Sequence, residues 1–221
     1  MKRMTPSANP PQALAFQCQC GAIQGAVQES APPTGRRLVC HCNDCQAFAH
    51  YLGREKQMLD DHAGTHVYQM DSSKFEIAKG QDKLACVTVT GGPLLRWYCT
   101  DCRTPIANTL SSTRFAFLSL ILSGFDAGQT DRILGPDVEH VAIASGVGDL
   151  GKVKTASMPG MLWNLLVRTI KARLHPELRK SPLFDHDTGK PLAMPIKLET
   201  AERLAIDEKA DIYREVLAEA Q

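Results

Sequence analysis

Seven of the eight cysteines in this 221-residue chain fall in three short clusters, Cys18-Gln-Cys20-Gly21, Cys40-His-Cys42-Asn-Asp-Cys45 and Cys99-Thr-Asp-Cys102; only Cys86 stands alone. In a reducing compartment, closely spaced thiols hold metal more often than they pair as disulfides. Zinc(II) makes no geometric demand of its own and favours four thiolates in a tetrahedron, which short spacings can deliver. Cys18 and Cys20 with Cys99 and Cys102 supply a complete set of four. That site would be closed, and its role structural, tying the start of a domain to a turn far along the chain. Gly21 permits the backbone angle that a tight turn after Cys20 requires.

The C-x-C-x2-C cluster has a different chemistry, because it gathers three thiolates from six residues and leaves a tetrahedral ion one ligand short. Water, hydroxide or a substrate thiolate in the fourth position would make the ion a Lewis acid or the holder of a nucleophile. The alternative is closure by another protein atom, with Cys86, His41 or His50 as candidates and Cys86 foremost. Cys86 lies in a strand-like segment, where a lone cysteine is usually a small half-buried residue. His41 sits between two ligands and is constrained to point away from their ion. The expectation is an open or transiently occupied site. Asn43 and Asp44 read as outer groups that tune the ion or, more simply, as an Asx-turn.

The elements that must position these residues divide the chain in three. Residues 1–13, rich in proline and poor in apolar residues, read as a flexible lead-in. Residues 14–150 read as a mainly β, zinc-binding domain, with strand-like runs at 37–40, 65–70, 74–78, 83–90, 94–99 and 139–144. The apolar run Phe115 to Leu122 fits a buried strand or a helix fragment and leans to strand. Residues 151–221 read as a helical extension. It has one helix over 161–174, between Pro159 and Pro176, and a second over 200–220, with Thr200 or Asp207 as N-cap. The first helix carries Trp163, leucines, Arg168, Lys171 and Arg173. That pattern could meet a membrane surface, a partner or a second subunit, but the simpler expectation is that it packs on its own domain and exposes its charges.

Lys and Arg (25) nearly balance Asp and Glu (24), so there is no electrostatic footprint for nucleic acid. The longest apolar run near the start, Ala13 to Phe16, is far too short for a signal peptide, and no stretch approaches a spanning helix. A cytoplasmic protein with small-molecule partners is expected.

The order Cys18-Gln-Cys-Gly21, Cys40-His-Cys-Asn-Asp-Cys45-Gln46 and Trp97-Tyr-Cys-Thr-Asp-Cys102-Arg-Thr-Pro105 resembles the glutathione-dependent formaldehyde-activating enzyme family, the GFA or CENP-V type. The likeness covers about Phe16 to Ala107, with weaker echoes in Gly124-Phe-Asp126 and Pro136 to His140. It implies a β-tent fold with two zinc ions. One is structural, on Cys18, Cys20, Cys99 and Cys102; the other is catalytic, on Cys40, Cys42 and Cys45. It further implies a carbon–sulfur lyase acting like an S-hydroxymethylglutathione synthase, on glutathione or other thiol adducts of formaldehyde or a small aldehyde. Two departures lie beside the metal loops. The usual Gly-Thr after the last cluster is Arg103-Thr104, and Gln-Ala-Phe-Ala-His-Tyr-Leu-Gly after Cys45 lacks the typical Arg and Thr-Gly. They resemble a divergent bacterial branch with a C-terminal extension. The rival readings are a non-catalytic, zinc-stabilised β-tent binding module and, more weakly, a redox or metal-buffering protein.

Overall fold

The alternating segments resolve into two sheets in the computed structural model, which describes residues 12–221. In chain order come β1 (Gln12–Gln17), β2 (Gln24–Glu29), β3 (Arg36–Cys40), α1 (Asn43–Leu52), α2 (Glu55–Met58), β4 (Thr65–Met70) and β5 (Phe75–Lys79). Then follow β6 (Leu84–Thr88), β7 (Leu94–Cys99), β8 (Pro105–Leu110), β9 (Leu118–Ile121), α3 (Ala127–Leu134), β10 (Val138–Val141), α4 (Met158–Leu174), β11 (Ile196–Lys197) and α5 (Thr200–Glu219). β1 already starts at Gln12, inside the stretch expected to be lead-in; the rest of that stretch, 1–11, lies outside the described residues. The run Phe115 to Leu122 contains a fully buried strand, β9, and ends in a 3-10 turn.

The small sheet is antiparallel, in the order β1-β2-β5, and the large one runs β10-β3-β4-β9-β8-β7-β6-β11. Its edge pairs, β10 with β3 and β11 with β6, are parallel; the interior is antiparallel. Successive side chains of a strand point to opposite faces, so the large sheet carries two cores. One face presents Tyr68, Met70, Cys86, Trp97, Cys99, Leu118 and Leu120, packed on Phe16, Val27 and Phe75 of the small sheet. The other presents Leu38, Val67, Val87, Tyr98 and Ile121 beneath Ala47, Phe48 and Leu52 of α1.

Residues beyond 150 enter both cores. Leu183 and Phe184 join the first, Phe184 standing edge-on to Trp97 at 5.8 Å, while Leu198 and Ile206 join the second. α5 begins after Glu199, whose side chain makes no capping bond, and not from a Thr200 or Asp207 cap. Asp207 is instead internal, where it pairs with Arg203 one turn earlier.

α4 starts three residues before the expected position because Ser157 caps it, accepting the Gly160 N–H at 3.2 Å, with Pro159 in the first turn. Its rotation is the reverse of the expectation. Arg168 turns inward to Asp71 at 2.9 Å and to the Gln69 carbonyl, whereas Leu162, Trp163, Leu166, Ile170 and Leu174 face outward. A half-buried, hydrogen-bonded ion pair is directional, and here it fixes the helix where apolar contact alone would not. Among the described residues, no helix is long and apolar enough to cross a membrane.

Candidate metal centres

Two turns make the first cluster. After β1, Cys18 accepts the Gly21 N–H and donates its own to Ile23, with Gly21 at φ +75°. After β7, Cys99 accepts from Arg103 and donates to Thr104. Thr104 ties the turns together: its Oγ1 accepts the Gln19 N–H at 3.0 Å and lies 3.1 Å from the Cys102 sulfur. The sulfurs of Cys18, Cys20, Cys99 and Cys102 all lie within 4.8 Å of one another, with Cys18 to Cys20 at 3.5 Å and Cys20 to Cys99 at 3.8 Å. The Ile23 N–H donates to the Cys18 sulfur at 3.2 Å. Burial pushes the Cys102 thiol up, but hydrogen bonds from Thr104 and Cys20 outweigh it and bring it down to about 6.

Arg103 stands where the resemblance expects glycine, and its φ is +56°, in the left-handed region that glycine favours. The strain is offset by neighbours in α1. The guanidinium lies 5.1 Å over the Tyr51 ring and donates to the Tyr51 carbonyl at 2.5 Å.

The second cluster is built where β3 runs into α1. Cys40 ends the strand, Cys42 is the N-cap residue and Cys45 lies in the first turn. The Cys40 and Cys42 sulfurs are 3.4 Å apart, and all three sulfurs lie within 4.8 Å. Free N–H groups and the positive end of a helix favour thiolates there. Asn43 and Asp44 thus open a helix, Asn43–Leu52, where the sequence suggested an Asx-turn. Gln46 clamps its start, donating to the carbonyls of His41 at 2.8 Å and Ser145 at 2.9 Å. Asp44 forms no Asx-turn. It accepts from Arg203 of α5 at 2.9 Å and faces Arg96 at 3.9 Å, joining three elements.

Arg96 is the functional residue that sequence reasoning missed. On β7 it points away from Leu95 and Trp97, is 1% exposed, and sets Nη1 3.7 Å from the Cys45 sulfur and 3.4 Å from Asn108 Oδ1. Its guanidinium lies 5.6 Å over Phe48. Burial opposes its charge, but Cys45, Cys42 and Asp44 outweigh that and keep it protonated. The Cys40 and Cys42 thiols and then Arg96 hold Cys45 well below the ordinary thiol range. A charge inside Leu94-Leu-Arg-Trp-Tyr-Cys99 was the available signal, since a central strand buries both faces and a buried charge needs a partner.

None of the three candidate fourth ligands joins this cluster. Cys86 pairs with Trp97 across β6 and β7, so its side chain is on the opposite face of the sheet from Arg96 and Cys45. It contacts the Ala193 carbonyl, and burial pushes its thiol up to about 12. His41 is fully buried and turned to other partners, with Nδ1 3.0 Å from the His62 carbonyl and Nε2 3.0 Å from His140 Nδ1. His50 faces α5, its ring edge-on to Tyr213 at 5.4 Å. Among the described residues, no further His, Cys, Asp or Glu joins either group within 4.8 Å. The structure therefore brings the seven cysteines into a set of four and a set of three, each able to hold a metal ion.

The chain belongs to a family of unknown function, DUF6151, whose profile matches residues 11–196. No curated protein matches it. Among solved structures it is similar to a Rhodobacter sphaeroides protein from a structural genomics programme, at 14% identity and a TM-score of 0.38, over 58% of this chain and 100% of that one.

Proposed function

We propose that this protein binds two zinc ions and is an enzyme of the GFA type, with a β-tent core, that makes or breaks the carbon–sulfur bond of a thiol adduct of formaldehyde or a small aldehyde. The observation that carries the reading is the inequality of the two clusters. Four cysteines meet at one, whereas at the other three cysteines meet beside a buried arginine with no fourth protein ligand among the described residues. Zinc fits both sets: four sulfurs at about 2.3 Å from an ion stand about 3.8 Å apart, against 3.4 to 3.8 Å for the close pairs.

When bound at the three-cysteine set, zinc supplies Lewis acidity and a place for a thiolate or an aldehyde oxygen. The chain's own residues prepare that chemistry. The N-terminus of α1 and Arg96 stabilise the negative charge of three thiolates, and Asn108 and Asp44 hold the guanidinium in place. His41 and Gln46 fasten the loop from behind. In the synthetic direction a sulfur lone pair forms the C–S bond and the carbonyl π pair moves to oxygen. That oxygen takes the proton the thiol gave up, so nothing is oxidised or reduced. Glutathione is the thiol the resemblance suggests, and a reducing, cytoplasmic setting suits both clusters.

A second reading, a zinc-stabilised binding module, is favoured by one observation. α5 reaches both residues flanking Cys45, with Arg203 on Asp44 and Arg214 on the Gln46 amide oxygen, so the extension braces the cluster. Metal analysis joined to exchange spectroscopy separates the two. Two zinc ions per chain, with faster NMR exchange between formaldehyde and its glutathione adduct that Cys42→Ser removes, is the expected result. One ion per chain would sink both the two-site assignment and the enzyme. Two ions without faster exchange for glutathione or other small thiols would leave the binding module.

A further inference from the structure

The outward face of α4 is apolar and positively charged together. Leu162, Leu166, Ile170 and Leu174 recur every four residues, so they line one side of the helix, and Trp163 lies beside them. They are 60, 49, 50, 73 and 65% exposed, respectively. These residues are large, contiguous and uncovered, the pattern that marks an interaction surface and not the scattered exposure of ordinary proteins. The inner face is already satisfied: Ala172 is fully buried, Met161 packs on the second core, and Arg168 is spent on Asp71. The 115–117 segment extends the apolar surface, with Phe117 bordering the same small cavity as Leu162 and Leu165, and Phe115 itself 37% exposed.

We infer that this face of α4 docks on an anionic lipid bilayer, lying in the plane of the interface. Charge chooses this occupant. Apart from Arg168, which is paired with Asp71, residues 158–180 contain four Lys or Arg against one acid, Glu177, and α4 itself contains no acid. Lys171 and Arg173 are exposed. At 100° per residue Arg173 falls between Leu162 and Leu166, within the apolar arc, while Lys171 lies about 60° beyond its Leu174 edge. A second copy of the chain seated face to face would bring two such positive arcs together. A bilayer with anionic headgroups instead takes the side chains of Leu and Trp into its acyl boundary and the ammonium and guanidinium groups at its surface. α4 has 17 residues, and among the described residues no helix is long and apolar enough to cross a membrane.

The test uses the intact, metal-loaded chain with phosphatidylcholine vesicles, with and without phosphatidylserine. Trp97 is fully buried and Trp163 exposed, so a blue shift of tryptophan emission reports α4. Co-sedimentation and a blue shift with the phosphatidylserine vesicles alone, weakening as salt is added, are expected. Lys171→Gln and Arg173→Gln should each weaken binding about five-fold. Leu166→Asp with Ile170→Asp should abolish it while both metal ions stay bound, since neither side chain is in a core. No binding to phosphatidylserine vesicles at low salt, or binding unchanged in the Asp variant, overturns the inference. So does a concentration-dependent dimer that shifts Trp163 emission without vesicles, which would make a second copy the occupant.

Discussion

Replacing Arg96 should separate the two metal sites. At 3.7 Å from the Cys45 sulfur, a guanidinium and a thiolate attract by about 4–5 kcal/mol in an effective dielectric of about 20. That gross figure is offset by the desolvation of both groups, but removing only one partner leaves the other charge buried and unpaired, at a cost of about 3–5 kcal/mol. Arg96→Met should therefore lower unfolding stability by about that amount. It should also weaken the ion at Cys40, Cys42 and Cys45 by about 10–100-fold, as loss of an outer partner does. The other ion should be unaffected, because Cys18 and Cys99 pack in the core on the far face of the sheet. Arg96→Lys retains the charge but not the planar fork that reaches Cys45, Asn108 and Asp44 at once. It should fold and lose about ten-fold in affinity at the one site. Competition with a chromogenic chelator, counting ions released at each affinity, reads both variants. Equal weakening of the two ions, or an unchanged affinity in the Lys variant, would refute the assignment of Arg96 to the three-cysteine centre.

Cys86→Ala should retain two ions per chain in elemental analysis, since its thiol faces the core opposite Cys45; loss of one ion would return it to the ligand set. Arg103→Gly relieves a left-handed backbone worth about 1–2 kcal/mol but gives up the Tyr51 stacking, about 0.5–1 kcal/mol, and a hydrogen bond. Its denaturation midpoint should move little, and a loss above about 3 kcal/mol would mean the side chain does more than sit over Tyr51. Glu29 supplies a pH test. Burial pushes its carboxyl up, but Lys74, Tyr68 and the Ser30 N–H outweigh it and hold it below its ordinary value. A depressed acid contributes stability above its unfolded value, about 4.3, and loses it as pH falls through the folded one. Tyr68→Phe removes a 2.6 Å bond to that carboxylate and should cost about 1–3 kcal/mol at neutral pH. The gap from the natural chain should close as pH falls below about 4 in urea titrations; a gap independent of pH would contradict it.

Much of the scaffold was legible because local rules govern it. Alternation located β4, β6, β7 and β10, and proline punctuation with helical spacing located α4 and α5 to within a few residues. α1 was not legible, because Cys42-Asn-Asp-Cys45 matched a ligand loop and a polar turn as well as a helix start; only Gly53, at φ +62°, marks the far end as a helix stop. The rotation of α4 was misjudged for a related reason. Periodicity gives the arc that is apolar, but Asp71, 97 residues away from Arg168, decides which arc turns inward.

By itself the sequence determined that the cysteines belong to short, ligand-spaced clusters, because spacing within three to six residues limits where sulfurs can go. It also led to the expectation that Cys18 and Cys20 join Cys99 and Cys102 and leave the other three together, a grouping the structure reproduces; what only tertiary structure decided is the surroundings of each set. The pleat of one sheet sends Cys99 to one face and Arg96 to the other, which joins Cys99 to Cys18, places a cation beside Cys45 and excludes Cys86. That choice depends on register between strands far apart in the chain, and register is fixed by packing on both faces at once, not by any segment alone.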